Sequence, residues 1–192
     1  MNKNKFDDIE IQKYKSIVEK YLVNDNRELN YQNRIVIPFL KRILPEDLDI
    51  VDTSTLYKNW ENREWHDRSK YADNYTPDIL IAKEWTIYNR NKDNIEYLSL
   101  LEIKTPTANN RKHAEKEKNE YLSKVPTVIL TDCLTWEFFP KNKFKYEVIN
   151  FEEGKTNKSV CQRDNANKKI AWKAMPDLFA EFQKLMENFS QI

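Results

Sequence analysis

One glycine, two cysteines and two histidines in 192 residues, with a net charge of only +1, are the chain's scarcities. Each one excludes something. Gly154-Lys155-Thr156 has the ending of a phosphate-binding P-loop, but the first glycine of such a loop would have to stand where Ile149 stands. A G-x-S-x-G nucleophile elbow is excluded for the same reason. Cys133 and Cys161 are isolated, with no CxxC pair, which speaks against a disulfide framework and for a reducing cytoplasm. His66 and His113 are far apart and have no partner at zinc-ligand spacing. With charges so nearly balanced, binding to nucleic acid would need local basic patches. The opening MNKNKFDDIEIQKYK has no apolar core after its lysines, so no signal peptide is expected, and no run reaches membrane-spanning length. Without glycine, tight turns are expected to lean on Asn and Asp, which tolerate left-handed backbone.

What is present is aromatic. Five Trp, ten Tyr and nine Phe outweigh the low mean hydropathy and argue for a packed core over disorder. The length suits one domain, residues 1–192, with a core over about 25–150. Helices at 6–23 and 176–189 read as packing additions. The first presents Tyr14, Ile17, Val18, Tyr21 and Leu22, the second Leu178, Phe179, Phe182, Leu185, Met186 and Phe189. The last stripe reads as core packing, with a dimer interface as its alternative use.

The chemistry-bearing stretch is TPDILIAKEWTIY, then NRNKDN, then IEYLSLLEIKTP. Two runs rich in β-branched, aliphatic and aromatic residues flank a segment of turn chemistry, which predicts an antiparallel hairpin. A turn centred at Asn91 sets Asp78 opposite Lys104, with Glu102 a diagonal step away. Glu102 and Lys104 are two apart and share one face of the strand. Leu98, Leu100 and Leu101 come just before them, so the strand reads as buried on both faces. Two carboxylates and an ammonium among apolar neighbours need compensation, and a divalent cation supplies it. The chemistry that uses such a set is phosphodiester hydrolysis. An ordinary surface ion pair is the bland alternative.

Pro77-Asp78, a spacer, then Glu102-Ile103-Lys104 resembles the signature of the PD-(D/E)xK nuclease superfamily. The likeness runs from about Glu28 to Phe139 and is nearest to the nuclease domain of type I restriction motor subunits. It implies an α/β restriction-endonuclease-like fold, with a mixed sheet of four to six strands flanked by helices, in the order helix, three antiparallel strands, helix, strand. It also implies Asp78, Glu102 and the Ile103 carbonyl as ligands of Mg²⁺, with Mn²⁺ as a substitute, and Lys104 beside the attacking water. Glu28, on the helix NRELNYQNRIVIPFLKRIL, matches a further acidic metal partner of the family; by itself it reads equally well as a first-turn Glu in solvent. The implied function is a DNA endonuclease in restriction or phage defence, acting as a homodimer or with a separate motor or specificity subunit. The alternatives are an RNA-cleaving toxin and a non-catalytic nucleic-acid- or protein-binding module. Two departures stand out: Glu117 replaces a Gln usual four residues before the helix Tyr121, removing a polar contact, and Cys133 replaces a turn Gly, implying a different turn.

In the first helix, Leu29, Ile35, Val36, Phe39, Leu40 and Ile43 form the expected stripe, Asn24, Asp25 or Asn26 the cap, and Pro38 a kink or break. NNRKHAEKEKNEYLSK is expected to lie on the sheet with Ala114, Tyr121 and Leu122 inward, followed by the strands VPTVILTD and LTWEFF. Candidate basic patches are Arg111, Lys112, Lys116 and Lys118; Lys141, Lys143 and Lys145; Arg163, Lys168 and Lys169. Arg63, His66, Arg68 and Lys70 lie in the aperiodic segment before Asp78. A solvated face is the simpler reading of most of these.

Overall fold

A computed structural model describes residues 8–56, 71–86, 95–107, 109–141, 147–154, 169–174, 177–182 and 184. The fold is α/β, a six-stranded mixed sheet flanked by helices, with strands in chain order across the sheet. Helices α1 (Asp8–Asn24) and α2 (Glu28–Tyr31) come first, then a π-helical turn (Gln32–Val36) and α3 (Ile37–Ile43). β1 (Asp49–Asp52), α4 (Thr53–Leu56), β2 (Ile79–Lys83) and β3 (Glu96–Ile103) follow, then α5 (Arg111–Lys124), β4 (Thr127–Thr131), β5 (Thr135–Pro140) and β6 (Glu147–Asn150). β1, β2 and β3 are antiparallel; α5 carries the chain across to β4, which is parallel to β3; β5 and β6 are antiparallel again. No helix among the described residues is long and apolar enough to cross a membrane.

Alternating strand residues feed two cores. Ile79, Ile81, Leu101, Ile103, Ile129, Trp136 and Phe138 face α1, the π turn and α3. Leu80, Ala82, Leu100, Val128, Leu130 and Phe139 face α5 through Ala114, Tyr121 and Val125. β3 and β4 are therefore buried on both faces, as runs such as LSLLEI and TVILT require. The C-terminal helical residues 177–182 place Phe179 and Phe182 in the first core, where Phe182 stacks edge-on to Trp136. For those two side chains the use is core packing; Leu185, Met186 and Phe189 lie outside the described residues.

Local expectations fail in instructive places. No side chain caps α2: its N-cap is Arg27, and Asp25 is engaged by that guanidinium at 2.7 and 2.6 Å. Asn24 is the last residue of α1. Pro38 does interrupt the regular α-helix: it stands in the first turn of α3, directly after a π turn in which the Ile37 amide bonds back to Gln32 and which makes room for a ring that would strike an α-helical carbonyl. Leu29 is consequently exposed, while Tyr31 and Gln32 are buried. Left-handed backbone is held by Glu84, Cys133 and Gly154 among the described residues, not by Asn or Asp. Asp132 still builds its turn, but by accepting the Leu134 and Thr135 amides on Oδ1.

Candidate active site

β2 begins one residue after Asp78 and β3 ends one residue before Lys104, so their adjacent ends bring the signature residues together. The register differs from that expected. Ile79 pairs with Leu101, which sets Asp78 across from Glu102 instead of Lys104. A bulge where Ile81 pairs with Ser99 and Ala82 with Tyr97 leaves Leu98 unpaired, so the ladder is not symmetric about one turn centre. Register follows the two buried faces, Ile79 with Leu101 in one core and Leu80 with Leu100 in the other. Residues 87–94, including Asn91 at the expected turn, lie outside the described residues.

Asp78 is fixed from three directions. Its amide donates to the Leu101 carbonyl at 3.2 Å, and its Oδ2 accepts the Ile103 amide at 2.7 Å. Its carbonyl accepts the Thr53 amide at 3.1 Å. Upstream, Glu120 of α5 clamps the approach, its Oε1 accepting the amides of Asp73, Asn74 and Tyr75. Gln32, turned inward by the π turn, donates to Asp52 at 2.7 Å and reaches the Asp78 carbonyl at 3.5 Å. Since a strand residue's N–H and C=O leave on the same side, the Ile103 carbonyl also faces the Asp78 edge.

Glu102 and Lys104 share the α5 face and are both 4 % exposed. Lys104 Nζ lies 2.5 Å from Glu102 Oε1 and 3.2 Å from Glu117 Oε2. Tyr121 donates its hydroxyl to Glu102 Oε2 at 3.2 Å. Glu117 is thus not a lost polar contact: it is buried, and adds a carboxylate to the group. Tyr121 was expected inward only as packing, and Glu117 only as a lost polar contact, so neither was assigned to the site. Their i, i+4 spacing, one turn on the inner face, was the available signal. Glu28 is half-buried and sits within the field of Lys104 and Glu117, with the Thr105 amide as a hydrogen-bond partner.

Electrostatics follow from four carboxylates around one ammonium. Burial pushes the Asp78 carboxyl up to about 7, against the pull of the Ile103 amide and Lys104. Burial and the Asp78 charge hold Glu102 well above the carboxylate range. Burial also raises Glu28, with Lys104 opposing. Burial works against the Lys104 ammonium, but the charge and hydrogen bond of Glu102, with Glu117 and Glu28, outweigh it and raise the group. The acidic neighbours thus favour the ammonium form of Lys104.

The donor chemistry fits a hard divalent cation. Asp78 and Glu102 offer carboxylate oxygens, the Ile103 carbonyl faces the same edge, and Glu28 stands near. Among the described residues no three acidic, histidine or cysteine side chains are already gathered as ligands; Mg²⁺ needs one or two carboxylates and keeps its waters.

Several basic residues are spoken for elsewhere. Arg111 grips the buried Glu137 and pairs with Glu115, and Lys118 pairs with Glu115 over the Phe139 ring. Lys141 donates to the Ser123 carbonyl at 2.9 Å. Lys112, Lys116 and Lys169 are exposed, whereas Arg63, His66, Arg68, Lys70, Lys143, Lys145, Arg163, Lys168 and Cys161 lie outside the described residues. Comparison with protein-family models, with curated proteins and with solved structures gives no match to this chain.

Proposed function

We propose that this protein is a metal-dependent nuclease that hydrolyses nucleic-acid phosphodiester bonds, with DNA as the substrate and restriction or phage defence as the setting. The observation that carries the reading is the meeting of Asp78, Glu102 and Lys104 at the ends of β2 and β3. The Ile103 amide locks the Asp78 carboxylate onto the strand that bears the other two. A buried ion-rich cluster of this kind costs stability, and packing alone gives no reason to keep it. The resemblance to PD-(D/E)xK nucleases supports the same reading and is the source of the biological setting, which is intracellular.

When bound, Mg²⁺ or Mn²⁺ polarises the scissile phosphate and makes a coordinated water more acidic. Asp78 and Glu102 would hold the ion, with the Ile103 carbonyl at the same edge and Glu28 as an outer partner. Lys104, whose acidic neighbours favour its ammonium form, is suited to orienting the water and to countering negative charge on the phosphorane. Tyr121 keeps Glu102 turned inward. One such site cuts one strand, so double-strand breaks would require a homodimer or a partner subunit.

The test is incubation with plasmid, linear DNA and structured RNA in Mg²⁺, Mn²⁺ or EDTA, beside Glu102→Ala and Lys104→Ala. Metal-dependent cleavage lost in both variants supports the proposal, and the polymer cut separates a restriction role from an RNA toxin. Metal binding unchanged in Asp78→Ala sinks it.

A further inference from the structure

Lys104 has two acceptors and uses them unequally. Glu102 Oε1 lies 2.5 Å from its Nζ. Glu117 Oε2 lies at 3.2 Å, within ion-pair range but out of hydrogen-bond alignment, and this buried oxygen makes no hydrogen bond. The other oxygen, Oε1, faces the exposed imidazole of His113, Nε2 at 3.2 Å. Glu117 is thus a carboxylate only 6 % exposed, with its inner oxygen turned to the ammonium and without a hydrogen bond. Such a group is costly to bury unless a charge uses it.

Ligation through Glu102 asks that carboxylate to give up the ammonium it now holds. A buried lysine has to keep an acceptor, and among the described residues its ion pairs are with Glu102 and Glu117 only. We infer that Glu117 is a positioning residue for Lys104: it takes over the ammonium when Glu102 turns to a divalent cation, an inference that rests on the nuclease reading. The hand-over keeps Lys104 beside the reacting centre and removes a competitor for Glu102. Glutamine at this position would offer a neutral oxygen and a weaker hold on the ammonium. The departure Glu117 thereby gains a purpose particular to this chain.

The test is a double-mutant cycle read by calorimetric titration with Mn²⁺. The unsubstituted protein, Glu117→Gln, Lys104→Met and the double variant are compared, with thermal unfolding to show that each is folded. Glu117→Gln is expected to weaken Mn²⁺ binding about tenfold with Lys104 in place, and by less than about twofold in the Lys104→Met background. Should Glu117→Gln not fold, Glu117→Asp, which keeps the charge but shortens its reach, should show the same dependence on Lys104. Equal losses in both backgrounds overturn the inference, since Glu117 would then act on the ion directly or through bulk charge; no loss in either overturns it as well. Failure of the unsubstituted protein to bind Mn²⁺, or undiminished binding by Glu102→Ala, removes the nuclease reading itself and this inference with it.

Discussion

Asp78 Oδ2 accepts the backbone amide of Ile103 at 2.7 Å, so the carboxylate that precedes β2 is tied to the residue between Glu102 and Lys104. This bond, with that of the Asp78 amide to the Leu101 carbonyl, holds the two halves of the signature together. Asp78→Asn keeps an oxygen for the Ile103 amide and removes the burden of a buried charge. Its folded state is expected to be at least as stable as the parent at pH 8, while metal binding and cleavage are lost. Asp78→Ala strands the Ile103 amide, at a cost of about 1–3 kcal/mol. Urea unfolding of the two variants, with Mn²⁺ titration, checks both; an Asn variant less stable than the Ala variant would contradict the role given to the bond.

The same carboxyl sets a pH dependence. Asp78 is raised to about 7 in the folded state, from an ordinary value near 3.8. Between those values the folded protein holds the proton more tightly than the unfolded chain. Stability from this group is therefore complete below about 4 and is lost as pH rises through 7. Glu102, also raised, acts in the same direction. The metal-free protein is expected to melt at progressively lower temperature from pH 5 to pH 8. Because an ion must displace those protons, Mn²⁺ should bind more tightly, and raise the melting temperature more, at pH 8 than at pH 6. A melting temperature in EDTA that climbs over this range would show that Asp78 is not the dominant group.

Glu102 and Lys104 were legible because their spacing and the apolar run before them are both local. Asp78 was legible for its end of the hairpin but not for its opposite number. The register is set by which apolar residues share each buried face, and a turn centre placed at Asn91 from composition carries no such information. Leu29, expected in the buried stripe, is exposed while Gln32 is buried, because a π turn inserts an extra residue and rotates the helix preceding it out of phase with the helix following it. Pro38 signalled a disturbance there, though not its kind. Glu117 was legible as a departure but not as a buried carboxylate, because in NNRKHAEKEKNEYLSK it looks like every other surface charge. Only the three-dimensional partner, Lys104, marks it as buried.

Arg111 acts as a strut between α5 and the sheet. Its guanidinium grips Glu137 at 2.7 and 3.0 Å, and Glu137 is 1 % exposed in β5. This pins the first turn of α5 to the sheet, upstream of Glu117 and Tyr121. Arg111→Ala strips a buried carboxylate of its cation and is expected to cost about 3–5 kcal/mol. Adding Glu137→Gln removes the buried negative charge and should recover a substantial part. Chemical denaturation of the single and double variants tests the pairing; additive losses would show that the two do not act together.

Cys133 stands at φ 67°, in the left-handed region where glycine is at ease. The turn is therefore the one a glycine would make, not the different geometry expected from the absence of glycine. Its carbonyl accepts the Tyr14 hydroxyl at 2.6 Å, and its amide donates to Thr131 Oγ1 at 3.0 Å. The backbone is thereby held in place from α1 and from the end of β4. Left-handed backbone costs a side-chain-bearing residue about 1–2 kcal/mol, which Cys133→Gly would relieve. Against this stands the lost burial of a small, fully enclosed side chain and the greater freedom of glycine when unfolded. The opposing effects predict a change within about 1 kcal/mol for Cys133→Gly. Cys133→Val, equally apolar but β-branched, meets the same φ with a stiffer side chain and is expected to lose at least 2 kcal/mol or so. Thermal unfolding of the pair decides it: equal stability for Gly and Val would mean that the backbone at this turn is not held in the left-handed region.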